Sequence, residues 1–93
     1  MVEFIKQLES ILKQRKKERP EGSYSAKLFE QGSDRILRKI GEEAGELIIA
    51  AKNDDSSEIK NEMADLLFHM IVLLVHSNIS VDDLMAVLKN RHK

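Results

Sequence analysis

The sequence predicts an all-α fold, a bundle of four to five helices completed as a homodimer. Three observations carry that prediction. Only one proline and four glycines punctuate 93 residues, so long stretches are left free to coil. Leu, Ile, Lys, Glu and Ala dominate, and the apolar residues recur at helical spacing. No alternating run of β-branched residues marks a strand.

The first helix is expected from about Val2 to Glu18, with Phe4, Ile5, Leu8, Ile11 and Leu12 on one stripe. Arg19-Pro20-Glu21-Gly22 should end it, because Pro20 disfavours the α conformation at Arg19 and Gly22 permits a turn. A short helical piece over Ser25 to Gln31 follows, contributing Leu28 and Phe29. Gly32 closes it, and Ser33 or Asp34 is available to cap the next helix, Asp34 to Lys52. There Ile36, Leu37, Ile40, Ala44, Leu47, Ile48 and Ala51 make an apolar arc. Asp55-Ser56-Ser57-Glu58 then has capping-box spacing for a fourth helix, Ser56 to His76. A last helix, capped by Ser80-Val81-Asp82-Asp83, runs to about Arg91.

The fourth helix becomes apolar on every side from Leu66 to Val75. Such a helix must be surrounded, and four short neighbours hardly enclose it. A mate from a second copy would, hence the homodimer. A chain this small is a single domain, residues 1–93, with a thin core, and without cysteine no disulfide or thiolate metal site reinforces it.

Fifteen Lys and Arg against sixteen Asp and Glu give a formal net charge of −1, which argues against nucleic acid as a partner despite the basic run Lys13 to Arg19. The segment Met1 to Lys6 lacks a basic leader and a long apolar core, so no secretory signal is expected. The stretch Leu66 to Val75 is about half the ~20 residues a membrane span needs. Together with the absence of cysteine, these features predict a soluble cytoplasmic protein with no membrane partner.

The chemistry gathers in Glu42-Glu43-Ala44-Gly45-Glu46 and Glu62-Met63-Ala64-Asp65. With Ile36 at the origin and ~100° per residue, the apolar arc runs from about 0° to 120°, and Lys39, Glu43 and Glu46 flank it near −60°, −20° and −80°. Glu62 and Asp65 share one face of the fourth helix. A short connection implies antiparallel packing, which sets the two acidic pairs facing each other. Like charges in such a seam repel unless a cation neutralises them, and Gly41 and Gly45 inside a helix each cost on the order of 1 kcal/mol relative to Ala. Local rules broken together mark a functional site. Carboxylates without His or Cys suit a hard cation, Mg²⁺ in particular. A di-iron site would need Glu-x-x-His on paired helices, which is missing. A single Glu pair at this spacing is ordinarily solvated surface, and His69 is a candidate ligand, though a lone His in so apolar a helix is more often a hydrogen-bonded core residue.

Glu42-Glu43-x-x-Glu46 followed by Glu62-x-x-Asp65 resembles the signature of the MazG-type all-α nucleoside-triphosphate pyrophosphohydrolases. The flanks Ser23-Tyr24-Ser25-Ala26-Lys27-Leu28, Lys39-Ile40-Gly41-Glu42-Glu43-Ala44, Ala50-Ala51-Lys52-Asn53 and Glu62-Met63-Ala64-Asp65-Leu66-Leu67-Phe68-His69 resemble its phosphoribosyl-ATP pyrophosphohydrolase family. The similarity runs from about Glu21 to the C-terminus. Phe68 departs from the more usual Tyr.

That resemblance implies a dimeric, Mg²⁺-dependent hydrolase of the second step of histidine biosynthesis, splitting phosphoribosyl-ATP into phosphoribosyl-AMP and pyrophosphate. It also implies the stand-alone form, without the companion cyclohydrolase. The metal ligands expected are Glu43, Glu46, Glu62 and Asp65, and the carboxylate acting on water is Glu42 or Glu43. Ser23, Tyr24, Lys27, Lys39 and Lys52 are the expected substrate contacts, with Ser23 and Tyr24 in a loop over the substrate. Two other readings are a house-cleaning (d)NTP pyrophosphohydrolase of the same superfamily and a non-catalytic helical adaptor dimer.

Overall fold

The computed structural model describes residues 2–92; Met1, the first residue of the opening segment, and residue 93 lie outside them. Five helices follow in order, α1 (Val2–Glu18), α2 (Tyr24–Gln31), α3 (Ser33–Lys52), α4 (Ser56–His76) and α5 (Val81–Arg91), with no strand among the described residues. The all-α expectation holds, and each helix begins and ends within a residue of where the spacing places it.

The punctuation has local causes. Arg19 takes a left-handed backbone, φ 49°, leaving the right-handed α region that Pro20 disfavours, and the helix ends there. Its N–H still donates to the Arg15 carbonyl at 2.8 Å. Ser23 caps α2 by accepting from the Ala26 N–H. Ser33 and Asp34 do not cap α3; Gly32 stands at that position, φ 87°, closing α2 through the Leu28 carbonyl and opening α3 with no side-chain bond. Asp55 caps α4 by accepting from the Glu58 N–H, and Ser80 and Asp83 complete a reciprocal capping box on α5.

The core is one cluster of Leu12, Leu28, Phe29, Ile36, Ile71, Val72 and Val75. It joins α1 and α2 to one side of the α3–α4 hairpin, whose return is the link Asn53–Asp55. Leu28 is 1% exposed. Its replacement by Ala should cost about 2–5 kcal/mol, a large share of the stability of so small a domain, readable as a shift in denaturant midpoint.

Two basic residues of α1 are tied into this frame. Lys16 Nζ donates to the carbonyls of Val75 and His76 and to Asn78 Oδ1, capping the end of α4. Arg15 donates to Ser23 Oγ at 3.2 Å. No single helix is long and apolar enough to cross a membrane among the described residues; α4 and α5 pass only as a pair bent by 111°.

The buried face of α3 differs from the sequence expectation. Ile36, Glu43 and Ala50 form its buried line, while Leu37 and Ile48 on the far side of the apolar arc are 50% and 61% exposed. On α4, Met63, Leu67 and Met70 are exposed as well. At about 100° per residue these two sets lie roughly 80–140° round from the seam in the same sense, so on antiparallel helices they share one side of the hairpin. The α3–α4 seam therefore closes on its acidic flank, and the rest of the arc forms an open apolar face.

Candidate active site

Seven-residue steps bring Ile36, Glu43 and Ala50 onto one line of α3, so Glu43 points into the seam. Glu62 and Asp65 answer from α4. One donor atom from each of Glu43, Glu62 and Asp65 lies within 4.8 Å of the other two. Glu43 is 6% exposed, Glu62 half-buried and Asp65 exposed, so the cluster opens from the interior toward solvent.

Two of its oxygens carry the signature of a cation site. Oε2 of Glu43 and Oε2 of Glu62 are buried with no hydrogen-bond partner among the described residues. A desolvated carboxylate oxygen without a donor is unfavourable until a proton or a positive ion supplies the missing interaction. An all-oxygen donor set fits a hard divalent cation.

The fourth carboxylate, Glu46, is outside this triad and exposed, yet it adjoins Glu62. Close enough to share a proton, Glu46 is the largest cause of a shift that pushes the Glu62 carboxyl up to about 7, followed by burial and by Glu43. The sign of the consequence is fixed. Between the ordinary carboxylate range and about pH 7 the folded metal-free protein holds a proton that the unfolded chain has released, so its stability falls as pH rises through that window. Thermal melts in EDTA should show this decline, and Glu62→Gln should flatten it.

Lys39, half-buried, ties the cluster to its surroundings. Its Nζ stands 3.3 Å from Glu43 Oε1 and 3.4 Å from Glu42 Oε2. Burial opposes the charged ammonium, but the bonds to Glu43 and Glu42 and the nearby Tyr24 phenol outweigh it, and its pKa is raised. Glu42 itself is exposed and lies outside the converging triad.

Ser23 ends the loop as the cap of α2, whereas Tyr24, expected in the same loop over the substrate, is the first residue of that helix. The Ser23 hydroxyl is engaged by Ala26 N–H and Arg15 and lies 3.2 Å from Ser25 Oγ. Ser23, Tyr24 and Lys27 line a cavity of about 590 Å³ together with Arg19 and Gly22. Tyr24 Oη lies 2.7 Å from His69 Nε2, and His69 Nδ1 lies 2.7 Å from the Asp65 carbonyl. His69 is thus the hydrogen-bonded core residue expected, 5% exposed.

Lys52 is not brought to this site. Nine residues beyond Glu43 on α3, it points about 180° away from it, and it stands about 20 Å along the helix from Lys39. Helical phase explains why: the sequence grouped it by proximity to an Ala-Ala-Lys-Asn motif, whereas the rotation turns it outward. Conversely, spacing gave no hint that Arg19 shares the cavity or that Tyr24 meets His69, since both depend on how α2 docks.

A family model described as phosphoribosyl-ATP pyrophosphohydrolase matches residues 5–92. A phosphoribosyl-ATP pyrophosphatase from Leptospira biflexa is 54% identical over 91 residues, covering 98% of this chain and 99% of that protein. Histidine biosynthesis bifunctional proteins are also similar. That of Halalkalibacterium halodurans is 52% identical over 97% of this chain and 43% of its own length. That of Bacillus subtilis is 51% identical over 96% of this chain and 43% of its own. The chain therefore spans less than half the length of the bifunctional relatives and nearly all of the Leptospira one. With a match that takes in every residue of the carboxylate seam, the chain belongs to the phosphoribosyl-ATP pyrophosphohydrolase family.

Proposed function

We propose that this protein hydrolyses phosphoribosyl-ATP between its α and β phosphates, releasing phosphoribosyl-AMP and pyrophosphate, as the second step of histidine biosynthesis. The observation that carries the reading is the convergence of Glu43, Glu62 and Asp65, with two orphaned buried oxygens, in a chain of this family. Those three residues, with Glu46 beside them, would hold Mg²⁺. Bound there, the ion supplies charge neutralisation for the phosphate oxygens and polarises a water.

The chain's own groups account for the rest. Of the α3 pair, Glu43 has Oε1 on Lys39 and Oε2 buried without a partner, which suits it to ligation. Glu42 meets Lys39 through Oε2 alone, so its other oxygen is available to orient the attacking water and take its proton. Lys39, paired with Glu43 and Glu42, holds an ammonium beside the seam that would neutralise phosphate oxygens of the substrate. Lys27 and Arg19 are the cations of the cavity beside Tyr24, where Glu21 and Glu30 balance them until a phosphate competes for their charge.

The active form is a homodimer joined through the open apolar face of α3 and α4. Among the described residues thirteen large hydrophobics are exposed against ten apolar residues buried, and a second copy would cover those on α3 and α4. Its place of action is the cytoplasm, where phosphorylated nucleotides are retained.

Turnover of phosphoribosyl-ATP beside dUTP, dCTP and ATP tests the assignment. Phosphoribosyl-ATP should be preferred by at least about a hundredfold in kcat/KM, roughly 2.7 kcal/mol. Equal or better turnover of a deoxynucleotide would move the protein to a house-cleaning role.

A further inference from the structure

His69 is more constrained than a core residue needs to be. The Asp65 carbonyl can only accept, so the ring nitrogen 2.7 Å from it, Nδ1, carries the proton. In the neutral ring Nε2 is then left with a lone pair, and the Tyr24 hydroxyl, also at 2.7 Å, donates to it. Both ends of the chain of bonds are therefore fixed in direction. Tyr24 Oη has no proton left for the cavity and presents lone pairs only.

The ring is held from its sides too. Tyr24 stacks on Phe68 with centroids 6.3 Å apart and 28° between planes, and meets His69 edge-on. Among the described residues this is the one side-chain hydrogen bond between α2 and α4. Yet Tyr24 stays 48% exposed and lines the cavity of Arg19 and Lys27. Its partner His69 is anchored on the backbone of Asp65, whose carboxylate belongs to the acidic triad.

We propose that His69 is a positioning residue for the nucleotide substrate, acting through Tyr24. The pair sets the wall of the substrate cavity at a fixed place relative to the helix that bears Glu62 and Asp65. Because the phenol oxygen only accepts, it meets a hydroxyl or ammonium donor and not a phosphate oxygen, which favours the ribose part of the substrate at this wall. The inference rests on the phosphoribosyl-ATP reading above.

Steady-state kinetics at saturating Mg²⁺, with the Mg²⁺-induced rise in Tm measured separately without substrate, test it. Tyr24→Phe keeps the ring and removes only the hydroxyl. It and His69→Phe should each raise KM for phosphoribosyl-ATP about tenfold while kcat stays within about threefold, the scale of one lost hydrogen bond. The double variant should be no worse than His69→Phe alone, and His69→Gln, whose amide oxygen can accept from the phenol, should recover most of the loss. The Mg²⁺ response of Tm should match the parent in all of them. An unchanged KM in Tyr24→Phe, additive losses in the double variant, or a lowered Tm with normal kinetics would overturn the pairing and leave a packing contact. Failure of the parent itself to turn over phosphoribosyl-ATP would overturn the functional reading and the pair's role with it, so the two failures are distinct.

Discussion

Glu62→Gln is expected to lower kcat/KM for phosphoribosyl-ATP by about a thousandfold or more, roughly 4 kcal/mol of transition-state stabilisation. The substitution keeps the shape of the side chain and removes its charge. It takes one anionic oxygen from a seam where Glu43, Glu62 and Asp65 converge. The same change should make the metal-free protein more stable near pH 8. There Glu62 is ionised against Glu46 and Glu43, the neighbours that push its carboxyl up to about 7, and a neutral amide removes that repulsion. Activity and stability thus move in opposite directions, the pattern of a residue retained for chemistry. The rise in Tm that Mg²⁺ gives the parent should shrink sharply in the variant, because a lost ligand weakens the ion's preference for the folded state. Pyrophosphate release and paired melts with and without Mg²⁺ measure both arms; a variant within tenfold of the parent would contradict the role.

Leu67→Glu should convert a dimer into monomers. Leu67 is 43% exposed between Met63 and Met70 on α4, on the side of the hairpin where Leu37 and Ile48 of α3 are also exposed. In a two-fold interface one substitution appears twice, so two charges would be buried face to face or nearly so. A penalty of several kcal/mol is expected for each unpaired buried charge, enough to weaken association by about a hundredfold or more. Gly41 and Gly45 support the same face. Each costs on the order of 1 kcal/mol relative to Ala inside a helix, and a Cβ at either would meet nothing within 4 Å in the single chain. A partner helix approaching closely on that side gives them a reason. Sedimentation equilibrium of parent and variant at micromolar concentration checks this, with Lys17→Glu on the exposed surface of α1 as the control for charge alone. A monomeric parent would contradict the dimer.

Much of the fold could be read from spacing because the helices are bounded by strong local signals. Pro20, Gly32, Asp55 and Ser80 act through backbone sterics and capping that depend on a few neighbours. The seam was legible for a similar reason. Glu43 lies seven residues from both Ile36 and Ala50, and Glu62 and Asp65 are three apart, so helical phase alone sets them facing once the hairpin returns. Phase was informative but incomplete for the apolar arc. It gave the width of the stripe on α3, whereas which half is covered depends on how α1 and α2 dock, and the acidic flank took the interior. Lys52 belongs to one of the matching flanks, and its phase turns it away from Glu43 within the single chain. The Tyr24–His69 bond joins residues 45 apart in sequence, and no local rule reaches that far.

Crystals grown with Mn²⁺ in place of Mg²⁺ put the central claim to the most direct test. An anomalous peak should lie between α3 and α4, within bonding distance of carboxylate oxygens of Glu43, Glu62 and Asp65, including the orphaned Oε2 atoms of the first two. A peak elsewhere, for instance among Asp55 and Glu58 at the hairpin end, or an empty seam at saturating Mn²⁺, would contradict it.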